Sequence, residues 1–302
     1  GTDVIQACFT PETGAPQCVT AQKTWEVCNQ PPLADAGPDQ VVEQSYLGGA
    51  SVTLNGSGSS DPDGDSLSYL WTWSAGSASG VSPVVTLPLG STVVTLTVSD
   101  GQFSDSDTVV ITVRDTTPPV LTVPANVTVE QETKDGTVVP LSATASDICD
   151  ANVDITSDAP AIFPLGATVV TFTATDDSGN STSASMTVTV VDTTPPVVTH
   201  TVTGTLGNNG WYRSDVTVSW TVSDPESPIT STSGCGTTTL TTDTPGVTLT
   251  CTATSAGGTA SQAVTVKIDK TPPLLTASRA PAPNAAGWNN TDVTVTFVCT
   301  DN

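Results

Sequence analysis

Thr108-Val109-Val110-Ile111-Thr112-Val113-Arg114-Asp115-Thr116-Thr117-Pro118-Pro119 is the stretch on which the fold turns. Val109, Ile111 and Val113 alternate with more polar neighbours, the period of a strand with one buried face. Two prolines then end the strand, because neither can donate to a ladder and both favour extended backbone. The same punctuation returns as Asp192-Thr193-Thr194-Pro195-Pro196 and as Asp269-Lys270-Thr271-Pro272-Pro273, each 77 residues after the last. Alternating runs precede both, Met186-Thr187-Val188-Thr189-Val190 and Ala263-Val264-Thr265-Val266-Lys267-Ile268. A fixed period of this length marks tandem domains, and Pro31-Pro32 marks an earlier joint.

The units also echo one another inside. Gly90-Ser91-Thr92-Val93-Val94-Thr95-Leu96 resembles Gly166-Ala167-Thr168-Val169-Val170-Thr171-Phe172, and Gly210-Trp211 is repeated at Gly287-Trp288. Short alternating strands, turn residues between them and no convincing helix predict an all-β chain of tandem Ig-like antiparallel β-sandwiches in an elongated rod. The segments are 1–30, 33–115, 118–193, 196–270 and 274–302. The first is a partial Cys-rich piece, in which Lys23-Thr24-Trp25-Glu26-Val27-Cys28 reads as the last strand of a preceding unit. The last segment supplies only the first strands of a further repeat. Half a sandwich leaves an open edge, so the chain is either a piece of a longer protein or one whose tail completes the head of the next copy.

Thirty acidic against seven basic residues give a formal charge of −23. That balance argues against nucleic acid and anionic lipid as partners and makes cations the natural counterions. No apolar run approaches a membrane span. Seven cysteines with one histidine and no CxxC favour disulfides in an oxidising compartment over zinc.

Residues 33–115 resemble a PKD domain through Asp61-Pro62-Asp63-Gly64-Asp65, Tyr69-Leu70-Trp71-Thr72-Trp73 and Val98-Ser99-Asp100-Gly101. Residues 118–193 resemble a hyalin (HYR) repeat through Ala145-Ser146-Asp147 and Thr175-Asp176-Asp177-Ser178-Gly179-Asn180. Residues 196–270 are similar to a related bacterial Ig-like repeat. The resemblance implies placement outside the cell, in long bacterial surface proteins or beside secreted hydrolases, and calcium in PKD loops of this kind.

Sandwich topology returns the loop after the second strand and the loop before the last strand to the end nearest the preceding domain. In the first full domain these loops and the entry segment carry Asp35, Asp39, Asp61, Asp63, Asp65 and Asp100; in the second, Asp115, Asp147, Asp150, Asp176, Asp177 and Asn180. Carboxylates so gathered repel unless neutralised. Ca²⁺, with six to eight oxygen ligands in flexible geometry, suits loops that mix Asp, Asn and carbonyls. The same residue types also make good turns without any metal. In the third domain Thr254-Ser255-Ala256-Gly257-Gly258 replaces the acidic loop, although Asp192, Asp224 and Glu226 remain.

Cys235 and Cys251 are 16 residues apart and predict a disulfide. Cys8, Cys18 and Cys28 can make one internal bond, with one sulfur left. Cys149 has Phe172 where HYR-like sequences place a partner, so it is either free or paired with another chain. Cys299 has no partner in its own segment, which makes the leftover cysteines candidates for terminal or intermolecular bonds.

His200 has no nucleophile or acid at a suggestive spacing, and the paired carboxylates lie in turns without an aromatic cleft. The reading is therefore non-enzymatic: an extracellular structural or adhesive stalk or fibre subunit with calcium-stiffened joints, whose partner is another copy of itself, head to tail, or a surface ligand. The rival reading is an accessory or carbohydrate-binding region of a secreted hydrolase, with Trp71 and Trp73 stacking on sugar.

Overall fold

The computed structural model describes residues 2–24 and 28–301. Its described residues contain no α-helix, only a single 3₁₀ turn at Asn208–Gly210. The chain forms two compact units, Gly1–Thr122 with Ala143–Thr156 and Phe172–Ala184, and Val123–Ser142 with Ser157–Thr171 and Ser185–Asn302.

In the first unit Thr2–Phe9 and Gln17–Thr24 make a fully exposed hairpin with Cys8 opposite Cys18. Trp25, Glu26 and Val27, the middle of the expected terminal strand, lie outside the described residues; the described part of that strand, up to Thr24, belongs to the hairpin. A five-stranded sheet follows in the order Gln40–Glu43, Ser104–Arg114, Gly90–Ser99, Ser68–Trp73, Gly76–Ser79. A two-stranded sheet, Ala50–Thr53 with Val84–Leu87, completes the sandwich. The alternation read from the sequence points Val109, Ile111 and Val113 inward, all at or below 1% exposure, against Leu54, Leu87, Val94, Leu96 and Trp71. Trp71 Nε1 donates to Gly80 O at 3.0 Å, so the indole is buried with its polar atom satisfied.

A second four-stranded sheet has the order Val127–Glu130, Ser181–Val191, Gly166–Thr175, Asp154–Ser157, and Val120–Thr122 pairs with Thr144–Ser146. In the second unit Val197–Thr203, Val216–Ser223 and Thr238–Leu240 form one sheet. Trp211–Tyr212, Gly258–Ile268, Thr244–Ser255 and Ser231–Ser233 form the sheet opposite. Val216, Val218, Val266 and Ile268 fill the space between. Leu274–Ala280 and Thr294–Thr300 make an exposed hairpin. The fold is a tandem array of Ig-like sandwiches, all of them antiparallel except at one place.

That place recurs. Each sandwich has a short entry strand, first or second in its order, that pairs parallel to its own last strand: Val41 with Thr112, Val127 with Val188, Trp211 with Lys267. The chain then crosses to the other sheet through a tight turn. At Gly49 and Gly136 φ is +130° and +125°, and a Cβ would sit 2.0 Å and 2.1 Å from Leu87 O and Phe163 O. Only glycine fits there. This entry strand is what brings the start of one sandwich alongside the Asp-Thr-Thr-Pro-Pro exit and, with it, the loops of the next.

Candidate functional site

Asp61 opens the first acidic loop. Its Oδ1 accepts the N–H groups of Asp63 at 2.8 Å and Asp65 at 3.2 Å, which folds the loop back on itself. Asp63 accepts both the backbone N–H and the side-chain amide of Gln30, at 2.7 and 3.2 Å. Asp100 accepts Asn29 Nδ2 at 2.9 Å. The N–H groups of Phe103 and Gln102, with Asn29, hold the Asp100 carboxyl below the usual carboxylate range against a smaller desolvation cost. Asp63 and Asp100 are thus tied to the segment that enters the sandwich, and Asp61 shapes the loop that carries Asp63.

Asp35 and Asp39, the other two candidates of this domain, each accept a backbone N–H. Asp35 Oδ1 caps the N–H of Gly37, and Asp39 Oδ1 accepts Val110 N–H at 2.8 Å. Asp105 and Asp107 do likewise for Ala34 and Ala36. Asp39, Asp105 and Asp107 satisfy backbone donors between the entry segment and the last strand, where no ladder forms. Asp35 and Asp39 thus brace the entry segment, each through its Oδ1.

All six candidates of the second domain are joined in one web. Asp147 Oδ1 accepts the N–H groups of Cys149 and Asp150 at 2.6 and 3.1 Å. Asp150 accepts Asp177 N–H at 2.9 Å. Asp176 accepts the backbone and side-chain N–H of Asn180, whose amide also donates to Asp115 O at 3.2 Å. A carboxylate oxygen from Asp115, another from Asp147 and Cys149 Sγ lie within 4.8 Å of one another. Asp115 and Asp176 are only 8% and 6% exposed.

Cys149 belongs to this web and is removed from the candidates for intermolecular pairing. It is buried, donates from Sγ to Gln44 O at 3.3 Å, and accepts Gln44 Nε2 at its own carbonyl. Burial first, then the Asp115, Asp147 and Glu43 charges, pushes the thiol up to about 11. An acid raised in the folded state opposes folding only once it must ionise, so this site weakens the fold as pH rises from the thiol's ordinary range through about 11. In the native protein Cys28 and Cys299, both exposed and free, should alkylate at pH 8 while Cys149 stays protected until the chain unfolds. Mass-spectrometric mapping of the modified thiols reads this directly, and equal modification of Cys149 would contradict its burial.

The sequence reading missed Glu43 and Glu130. Glu43 accepts the N–H and hydroxyl of Thr116, and Glu130 those of Thr193, so each ties an entry strand to its own exit motif. The signal was present: Val42-Glu43-Gln44 recurs as Val129-Glu130-Gln131. Glu130 stands within 4.8 Å of Asp192 and Glu226, donor oxygen to donor oxygen.

The HYR domain family model matches residues 114–190. The chain carries an HYR domain. Its match opens one residue before Asp115 and takes in the whole Asp147-to-Asn180 web. Hyalin of Lytechinus variegatus is 38% identical over 144 residues, 41% of this chain and 27% of that protein. Hyalin of Strongylocentrotus purpuratus is 31% identical over 285 residues, 86% of this chain and 23% of that protein. The chain thus spans about a quarter of these relatives, and neither is bacterial. Among solved structures, the Sidekick-1 immunoglobulin domains 1–5 align over 81% of this chain and 60% of that one, at 14% identity and TM-score 0.35.

The HYR-bearing chain is extracellular or displayed at a cell surface. Its two disulfides, Cys8–Cys18 and Cys235–Cys251, need an oxidising compartment. Among the described residues no helix is long and apolar enough to cross a membrane. Trp71 lies in the core at 0% exposure, which removes half of the tryptophan pair on which sugar stacking rested. His200 packs edge-on against Trp220, ring centroids 5.4 Å apart.

Proposed function

We propose that this chain is a segment of an extracellular adhesive stalk whose joints are stiffened by calcium. The observation that carries the reading is the HYR web: the linker residue Asp115 and five loop groups, Asp147, Asp150, Asp176, Asp177 and Asn180, converge where Gln44 of the preceding sandwich also docks. Five carboxylates in one place, two of them buried, repel one another. The basic group acting nearby is Arg114, and it acts on Glu43. A hard divalent cation would relieve that repulsion with the oxygens present. The neutral Cys149 thiol is a poor ligand for such an ion and would stay a hydrogen-bond donor. The hyalin relatives favour an adhesive matrix role over catalysis. The exposed hairpin strands Leu274–Ala280 and Thr294–Thr300, with Cys299 free on one of them, support docking of a further repeat or a second copy there.

Calorimetric melting in millimolar calcium and in chelator tests the calcium reading. A hundredfold excess over Kd contributes about 2.7 kcal/mol, on the order of 10 °C for a single sandwich. The combined Asp147→Asn and Asp176→Asn variant should lose that difference. Identical melting of the wild type in both buffers would rule the reading out.

A further inference from the structure

In the sequence the joint after the HYR domain looks the poorest in acid, because Thr254-Ser255-Ala256-Gly257-Gly258 stands where the HYR domain has Asp176 and Asp177. In the structure it holds the all-oxygen cluster. One carboxylate oxygen each from Glu130, Asp192 and Glu226 lies within 4.8 Å of the others. Asp192 is more than nine-tenths buried, at 8% exposure. Its Oδ1 accepts Thr194 N–H at 3.0 Å, while its Oδ2 is buried with no hydrogen-bond partner. Glu226 Oε2 is buried and unpartnered in the same way. Buried carboxylate oxygens without a donor are costly, and a bound cation is one way in which a native fold satisfies them.

The surrounding backbone is built to hold these groups. Asp224, 3% exposed, accepts the N–H of Glu226 and of Ser227 at its Oδ1, which fixes the loop that carries Glu226. Gly257 closes over the other side: a Cβ there would lie 2.0 Å from Thr194 O and 2.4 Å from Asp192 Oδ1. Lys134 is the basic side chain nearby; it acts on Asp224 at a distance and makes no salt bridge with the cluster.

We infer that Glu130, Asp192 and Glu226 form a site for one hard divalent cation of the calcium class. The donors are oxygen alone, in loops with room to adjust, which suits calcium better than a transition metal. The comparison with the HYR joint sharpens the point. Ser223-Asp224-Pro225-Glu226 occupies the place of Ser146-Asp147-Ile148-Cys149, so a carboxylate stands here where the HYR joint has a neutral thiol. This inference shares the cation of the proposed function but rests on separate residues.

Calorimetric titration of the full chain with calcium chloride alone tests it. Asp192→Asn and the exposed, milder Glu130→Gln should each weaken one binding step about tenfold or more, while Asp147→Asn leaves that step unchanged. Circular dichroism confirms that each variant is folded. Calcium binding that survives Asp192→Asn and Glu130→Gln unchanged would overturn the site, even if Asp147→Asn abolishes another step and so upholds the HYR joint. A step lost in Asp192→Asn and indifferent to Asp147→Asn upholds this site and leaves the HYR joint to stand or fall alone.

Discussion

Trp71→Ala is expected to cost the first sandwich about 3–5 kcal/mol, most of the stability that a domain of this kind possesses. Trp71 is the largest fully buried side chain among the described residues. It packs among Leu54, Leu87, Leu96 and Val98, and its indole N–H satisfies Gly80 O. Alanine would leave a cavity that the two sheets cannot close, because both are held by ladders on either side. Trp71→Phe should cost less, since it keeps most of the apolar volume and loses mainly the bond to Gly80, worth about 1 kcal/mol. Urea unfolding of the two variants separates the contributions. A Trp71→Ala protein with a wild-type midpoint would mean that the indole is not the keystone of this core.

Removal of the Cys235–Cys251 bond, in the double variant Cys235→Ala and Cys251→Ala, is expected to destabilise the third sandwich by about 3 kcal/mol. The two cysteines are 16 residues apart, so the bond shortens the loop that the unfolded chain must close. Cys251 lies at 0% exposure in the strand Thr244–Ser255. The loss should fall on the transition of that sandwich and spare the melting of the first. Reduction of the wild type under native conditions should give the same shift, and no shift in either would contradict the role given to the bond.

What the sequence made legible was whatever repeats locally. Strict alternation before each Pro pair set strand faces, and Val109, Ile111 and Val113 are buried as the period requires. The pairing of Cys235 with Cys251 followed from a 16-residue separation, a loop short enough to close. The HYR resemblance lay in short loop motifs around Asp147 and Asp176. The acidic groups were harder to sort, because an Asp in a turn serves equally well as a backbone acceptor or as a cation ligand. Asp39 and Asp147 are the same residue type in similar surroundings, yet Asp39 accepts Val110 N–H while Asp147 stands beside Asp115 and Cys149. Only the paths of distant segments distinguish them. Cys149 illustrates this most simply. Its burial depends on Gln44, 105 residues earlier, and no local pattern around Cys149 announces that cover. Glu130 and Glu226 are brought together across a similar distance along the chain, which is why the joint with the plainest loop carries the all-oxygen cluster.

The most direct test of calcium at the joints is a crystal structure grown in calcium, with anomalous difference density inspected at the HYR web. The expected result is a peak among Asp115, Asp147 and Asp176, coordinated by six or more oxygens at about 2.3–2.6 Å. Water-like density without anomalous signal there, in crystals soaked at millimolar calcium, would contradict it.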